Sequence, residues 1–290
     1  MEVRFLFLLF LPVIFACNTA TTRISDNQEN QLKIISTPED EEIFKTFITL
    51  FSGQKDAPTS DIMIMAGTFL LNTPYTEHTL EHEPEQLIIN LREMDCTTFV
   101  ENCLALTRTL KSKKQDFEQF AKELANIRYH DGKIDGYASR LHYFSDWIFV
   151  NTDKNIVRDI AKEIAEPPLI KEINFMSTHP ESYKQLRDST LIKMIAEQER
   201  EISVREMYFI PKAKLVEFET KLMDGDIVAI TTEIAGLDVS HTALLIRKNG
   251  RIHILHASST AGKVIVSEET LENYLKSNRR TIGIMVARPL

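Results

Sequence analysis

Three side chains in this 290-residue chain have the types and the order that thiol chemistry needs. Cys96 stands in Met94-Asp95-Cys96-Thr97-Thr98-Phe99-Val100-Glu101, and after it Phe99, Cys103, Leu104, Leu106 and Leu110 recur at helical spacing. Far downstream come Ser240-His241-Thr242 and His256-Ala257-Ser258-Ser259. A thiol is a weak nucleophile near neutral pH, with an unperturbed pKa of about 8.5. A helix N-terminus and a nearby imidazolium both favour the thiolate. Asp95 or Thr97 can cap the helix that Cys96 begins. The expected chemistry is attack by Cys96 on a carbonyl, with one histidine as general base and another holding its tautomer. A thiolate–imidazolium pair predicts activity that falls on both the acid and the alkaline side. Taken alone, Cys96 also fits a small buried hydrophobe, as Cys103 does; the histidines argue for the reactive reading.

The elements must bring these groups together. Residues 238–247 read as a strand, Lys248-Asn249-Gly250 as a turn, and 251–257 as the returning strand. Such a hairpin places His241 beside the far end of the second strand, where His256 lies. His253 and His256 differ by an odd number, so they face opposite sides and only one can join His241. Helices are expected near 38–52, 59–71, 96–111, 116–127, 156–164, 181–187 and 189–201, with an irregular aromatic-rich stretch at 128–151. From Met207 the period changes, and strands are expected at 207–210, 226–231, 241–247, 251–256, 263–266 and 281–288, with a short helix at 268–277. A helical half then carries the thiol and an antiparallel β half carries the histidines, which is an α+β fold with the site in the cleft between them.

These residues resemble the NlpC-type cell-wall cysteine peptidases, whose fold is papain-like. The matching pieces are Ala66 through Leu71-Asn72-Thr73-Pro74-Tyr75, then Asp95-Cys96-Thr97-Thr98-Phe99-Val100, Asp224-Gly225-Asp226-Ile227-Val228, Ser240-His241 and His256-Ala257-Ser258-Ser259. The resemblance selects His256 over His253 as the third catalytic residue and places Tyr75 near the nucleophile. Tyr75 and the Cys96 backbone N–H become the expected oxyanion donors. Between Cys96 and His241 lie 144 residues, more than a minimal domain of this type needs. That insert, residues 112–205, is expected to be helical. Its segments Ser139-Arg140-Leu141-His142-Tyr143-Phe144-Ser145-Asp146-Trp147-Ile148 and Asn174-Phe175-Met176-Ser177-Thr178-His179-Pro180, with Asn90-Leu91-Arg92-Glu93, resemble one branch of the family. That branch, formerly a domain of unknown function, is associated with N-acetylmuramoyl-L-alanine amidase activity. It implies small muramyl peptides as substrates, especially those ending in anhydro-muramic acid, in cell-wall turnover or recycling.

Candidate substrate contacts follow. Trp147, the only Trp, sits amid Tyr137, Tyr143 and Phe144, and such faces either bind sugar rings or form a core. Arg140 offers a fork of donors to a substrate carboxylate, or pairs with Asp135 or Asp146. Arg92 is a second carboxylate candidate, and Asp238 and Ser240 flank the base. No cofactor and no metal are expected, since the histidines lack a His-Glu-x-x-His pattern and the cysteines lack zinc spacing. Two other readings remain: a γ-D-glutamyl-diamino acid endopeptidase of the same fold, and a non-catalytic muropeptide-binding lipoprotein.

Composition bounds the rest. A chain that is 43% hydrophobic and 26% charged suits one large domain, here expected over 38–290. A net charge of −8 without a basic stripe argues against nucleic-acid binding and gives no long-range attraction for anionic muramyl peptides, so any carboxylate recognition is local. At the N-terminus, Arg4 precedes an apolar run ending Ile14-Phe15-Ala16-Cys17, which reads as a signal peptide over 1–16. A Cys directly after a small residue there resembles a lipoprotein signal, with Cys17 lipidated and 17–37 as a polar tether. The protein is then exported, periplasmic and held to a membrane only through that lipid. With Cys17 modified, Cys96 and Cys103 would lie about 10 Å apart on one helix, too far for a disulfide.

Overall fold

The structure is a computed structural model that describes residues 32–165 and 168–290. The expected signal peptide and Cys17 lie outside the described residues. The strands are β1 (Ile34–Ile35), β2 (Leu87–Ile88), β3 (Val157–Asp159), β4 (Pro168–Leu169), β5 (Met207–Tyr208), β6 (Ile210–Pro211), β7 (Ile227–Thr232), β8 (Val239–Lys248), β9 (Arg251–Ser258), β10 (Lys263–Val266) and β11 (Thr281–Pro289). The helices are α1 (Pro38–Phe51), α2 (Thr59–Phe69), α3 (Cys96–Lys111), α4 (Phe117–Arg128), α5 (Phe144–Asp153), α6 (Ile160–Ile164), α7 (Phe175–Thr178), α8 (Ser189–Ser203), α9 (Leu215–Phe218) and α10 (Leu271–Ser277).

One antiparallel sheet runs in the order β10-β9-β8-β7-β11-β3, with β6 also paired to β11. Because side chains alternate across a strand, the sheet buries apolar residues on both faces. Leu244, Leu255 and Met285 face the helices, whereas Ala243, Leu245, Ile254 and Val286 pack with Leu215, Leu271 and Leu275 on the other side. The fold is thus α+β, with helices packed on an antiparallel sheet.

The central helix is α3. Its first turn is fixed by a capping box: Thr98 N–H donates to the Asp95 carboxylate at 2.8 Å, and Asp95 N–H donates to Thr98 Oγ1 at 2.9 Å. Asp95, and not Thr97, is the cap. Residues 98–107 of α3 are all buried, so even its polar groups need partners. Glu101 meets the Arg128 guanidinium of α4 at 2.6 Å, and Asn102 donates to the Asn90 carbonyl at 3.0 Å.

The structure departs from the sequence expectations in four places. Residues 156–164 are not one helix: β3 pairs with β11 (Ala287↔Asp159), and only then does Asp159 cap α6 by accepting from Lys162 N–H at 3.0 Å. The insert is therefore not purely helical, since its β3 completes the edge of the main sheet. Residues 144–153 form α5 instead of irregular chain. Six of its ten residues are buried, which erased the apolar–polar period that would have announced a helix. The 181–187 stretch contributes only a single 3₁₀ turn, Pro180–Ser182. At the other end of the chain, the described part of the expected tether, residues 32–37, is ordered. β1 pairs in parallel with β2 (Ile34↔Leu87), and Thr37 caps α1 through a capping box with Asp40.

Candidate active site

The β8–β9 hairpin builds the site by coming apart. The two strands pair from Lys248↔Arg251 as far as Leu244↔Leu255. Beyond that point β8 stays with β7 (Ala243↔Val228, Thr242↔Ala229, His241↔Ile230) while β9 stays with β10 (His256↔Ile265, Ala257↔Val264, Ser258↔Lys263). The start of α3 meets the sheet at this opening, and the Thr242 backbone N–H and hydroxyl face the Cys96 sulfur. Unpaired strand groups are costly when buried, so an opened ladder is a natural place to present N–H groups to a reacting atom.

His241 and His256 stand on the two arms of the opening. Their nitrogens, His241 Nε2 and His256 Nδ1, are 2.7 Å apart, with the rings at 84° to each other. One nitrogen must donate and the other accept. For His241 Nδ1 to remain a free base, His241 Nε2–H donates to His256 Nδ1 and His256 carries its own proton on Nε2. His253 faces the other way, its Nδ1–H donating to the Ser267 carbonyl at 3.0 Å, so His256 is the partner of His241, the one that the resemblance selected.

Electrostatics differ from the expected ion pair. Burial raises the Cys96 thiol pKa, and the neighbouring Asp95 carboxylate raises it further, against the lowering effect of Thr242 and Thr97. Burial lowers His241 to about 3, with His256 adding to the effect, and burial lowers His256 to about 4. Burial thus favours the neutral forms of the Cys96 thiol and of both imidazoles over a thiolate–imidazolium pair. Cys103 is fully buried, and burial raises its pKa well above the ordinary value, which fits its reading as core.

Tyr75 is set near Cys96 by backbone bonds. Tyr75 N–H donates to the Gly262 carbonyl at 2.9 Å, Met94 N–H to the Pro74 carbonyl at 3.1 Å, and Thr76 N–H to the Met94 carbonyl at 3.2 Å. Its hydroxyl donates to Glu77 Oε1 at 3.2 Å. Burial raises its pKa, followed by the nearby Cys96 charge, which keeps it a donor. The Cys96 N–H, at the first helical position, has no intrahelical acceptor.

The expected substrate contacts of the insert do not survive. Trp147 is fully buried and stacked on Phe144 at 4.7 Å, which makes it core and not a sugar platform. The Tyr143 hydroxyl donates to Glu199 at 2.6 Å and accepts from Met176 N–H. Arg140 is buried, paired with Glu81 at 3.1 Å and Glu85 at 3.6 Å, and donates to the Leu80 carbonyl; neither Asp135 nor Asp146 is its partner. Arg92 is held by Asp40, whose carboxylate also accepts Leu91 N–H. Asp238 is buried and accepts N–H bonds from Ser145 and Val239, so it shapes the entry to β8. Ser240 stays exposed beside His241. Two residues near the thiol and histidines escaped sequence reasoning: Thr242, hidden in an apolar strand, and Tyr274 of α10, whose ring lies 6.2 Å from that of His241. Among the described residues, no three of His, Cys, Asp and Glu gather as a metal site.

The family model described as N-acetylmuramoyl-L-alanine amidase-like matches residues 65–284. The chain belongs to that family. With it, the chain is a cell-wall amidase by family, and the expected branch is the right one. A crystal structure of an N-acetylmuramoyl-L-alanine amidase from Bacteroides uniformis is similar at 40% identity and TM-score 0.77, covering 80% of this chain and 98% of that one. A structure described as a putative xylanase from Bacteroides fragilis is similar at 41% identity and TM-score 0.72, covering 77% and 99%. A Legionella pneumophila protein shares the fold at 21% identity and TM-score 0.64, covering 87% and 94%. No curated protein matches. The span that this amidase shares with its family model contains Cys96, both histidines and the insert.

Proposed function

We propose that this amidase hydrolyses the amide between N-acetylmuramic acid, in its anhydro form, and L-alanine in peptidoglycan fragments, by a papain-like Cys-His-His mechanism. The observation that carries the reading is the thiol at the opened β8–β9 ladder with a hydrogen-bonded imidazole pair on its two arms. Cys96 Sγ attacks the lactyl carbonyl as its proton passes to His241 Nδ1. Because the thiol starts protonated, attack and proton transfer are coupled. The developing imidazolium is stabilised by His256, and the oxyanion by the Cys96 N–H and by Tyr75 once its hydroxyl turns from Glu77. His241 then protonates the leaving alanine nitrogen, the C–N bond breaks, and a thioester remains. Water, deprotonated by His241, cleaves the thioester and restores the thiol.

Export and a lipid anchor at Cys17 would place this activity at a membrane surface in the periplasm, in turnover or recycling of small fragments. The net charge of −8 supports local recognition of fragments, without long-range attraction. The test is mass spectrometry of products from anhydro-disaccharide tetrapeptide, wild type beside Cys96→Ala. Intact sugar plus intact peptide, absent with the variant, supports the reading. A shortened peptide still joined to sugar supports a γ-D-glutamyl endopeptidase instead, and no cleavage leaves a muropeptide-binding lipoprotein.

A further inference from the structure

We infer that Tyr274 is a positioning residue that locks the plane of His241 and shields the imidazole pair from water, an inference that rests on the proposed role of His241 as base. The ring of Tyr274 lies nearly parallel to His241 (27°, centroids 6.2 Å apart) and edge-on to His256 (84°, 5.8 Å). With the 84° between the two histidines, the three rings close into one set. An imidazole can turn about its last torsion between broad, two-fold wells. Only one orientation keeps Nε2 on His256 and leaves Nδ1 free. The Tyr274 ring and the His256 ring, themselves 5.8 Å apart, meet His241 from neighbouring directions, and together they oppose that turn.

α10 is built to hold this ring. It has seven residues, too few to be stable alone, and is anchored by Leu271 and Leu275, both fully buried. Thr270 caps it, and Thr281 Oγ1 donates to the Leu275 carbonyl at 2.8 Å. Tyr274, three residues after Leu271, shares its face. The ring is half-buried, and burial raises the pKa of its phenol, with Cys96 close enough to add to the effect. When His241 takes the thiol proton, the parallel ring offers its negative face to the new cation.

Other ionisable groups border the set: Cys96 and its N-cap Asp95 at the start of α3, Tyr75 and Glu77 before it, and Glu269 ahead of α10. The Tyr274 phenol is itself ionisable and is raised by burial, Cys96 and Glu269, so Tyr274→Phe separates loss of the hydroxyl from loss of the shielding ring.

The experiment measures the full chain with Tyr274→Phe, Tyr274→Ala and Tyr274→Leu. Histidine ring-proton NMR follows His241 and His256 against pH, and product release gives kcat and KM. Tyr274→Phe, which keeps the ring, is expected to retain wild-type titration and kcat within about twofold. Tyr274→Ala and Tyr274→Leu are expected to titrate their histidines at least a full pH unit higher and to lose about tenfold or more in kcat, with KM within about twofold, since a positioned general base contributes about 10²–10⁴-fold and a loosened one forfeits part of that. Tyr274→Leu keeps apolar bulk on α10 should the alanine variant unfold. Unchanged titration and kcat in Tyr274→Leu overturn the inference, as does an equal loss in Tyr274→Phe, which would assign the effect to the hydroxyl. If the wild-type protein cleaves no muramyl peptide, the proposed function fails while the titrations still decide the role of the ring.

Discussion

Lowering the pH tests the neutral character of the site. An ordinary histidine titrates near pH 6.5 and would be about 97% protonated at pH 5. With His241 lowered to about 3 and His256 to about 4, the protonated fractions at pH 5 are only about 1% and 9%. The general base is therefore still available at pH 5, and kcat/KM there should stay within about twofold of its value at pH 7. An ordinary histidine base would lose about 25-fold. The second assay is iodoacetamide alkylation, followed by mass at the Cys96-containing peptide. Burial holds that thiol above its usual range, so its alkylation rate should climb throughout pH 6 to 9. An acid limb centred near pH 6.5, together with alkylation that is flat from pH 5 to 8, would mean a preformed thiolate–imidazolium pair and would refute this account. Linkage adds a stability consequence. A histidine whose folded pKa is lowered stabilises the fold fully above pH 6.5, and that contribution is lost as pH falls toward the folded value. For His256 alone, a drop from 6.5 to about 4 corresponds to about 3 kcal/mol.

Further outcomes follow from single residues. His256→Ala should cut kcat by about 10²-fold or more while KM holds, because His241 loses the partner of its Nε2; steady-state kinetics that show only a KM effect would remove His256 from the mechanism. Glu101→Gln leaves the Arg128 cation buried and unpaired, at a cost of about 3 kcal/mol, and should lower Tm by roughly 6–12 °C. Glu118→Gln, which breaks a solvent-exposed pair with Lys122, should cost under about 1 kcal/mol; calorimetry showing equal losses for the two would contradict the buried-pair argument. Trp147→Phe should lower stability by about 1–3 kcal/mol through the space left in the core, with KM for muramyl peptide unchanged; a selective rise in KM would return Trp147 to the substrate.

The sequence carried the site because its signals were local. A capping residue before a periodic apolar run located α3 to the residue, and two strands around Lys248-Asn249-Gly250 placed both histidines at one end of a hairpin. Parity allowed only one of His253 and His256 to join His241, and the resemblance selected His256. The insert was less legible. Its aromatic and charged residues resembled a binding surface, but Trp147, Tyr143 and Arg140 are buried and partnered inside it. Residue type alone does not distinguish a buried partnered Arg from one awaiting a ligand. The difference lies in Glu81 and Glu85, nearly sixty residues away along the chain.

What the sequence by itself determined was the order of the candidate reacting groups, the α+β character and most of the elements, all of which rest on periods and caps spanning a few residues. Tertiary structure alone decided three things. It opened the β8–β9 ladder at Leu244 and Leu255, because each strand finds another neighbour beyond that point. It brought Tyr274 from a separate helix against His241. It also shifts the pKa values of Cys96, His241 and His256, since burial depends on every element packed around a group, and no local pattern records how much water that packing removes.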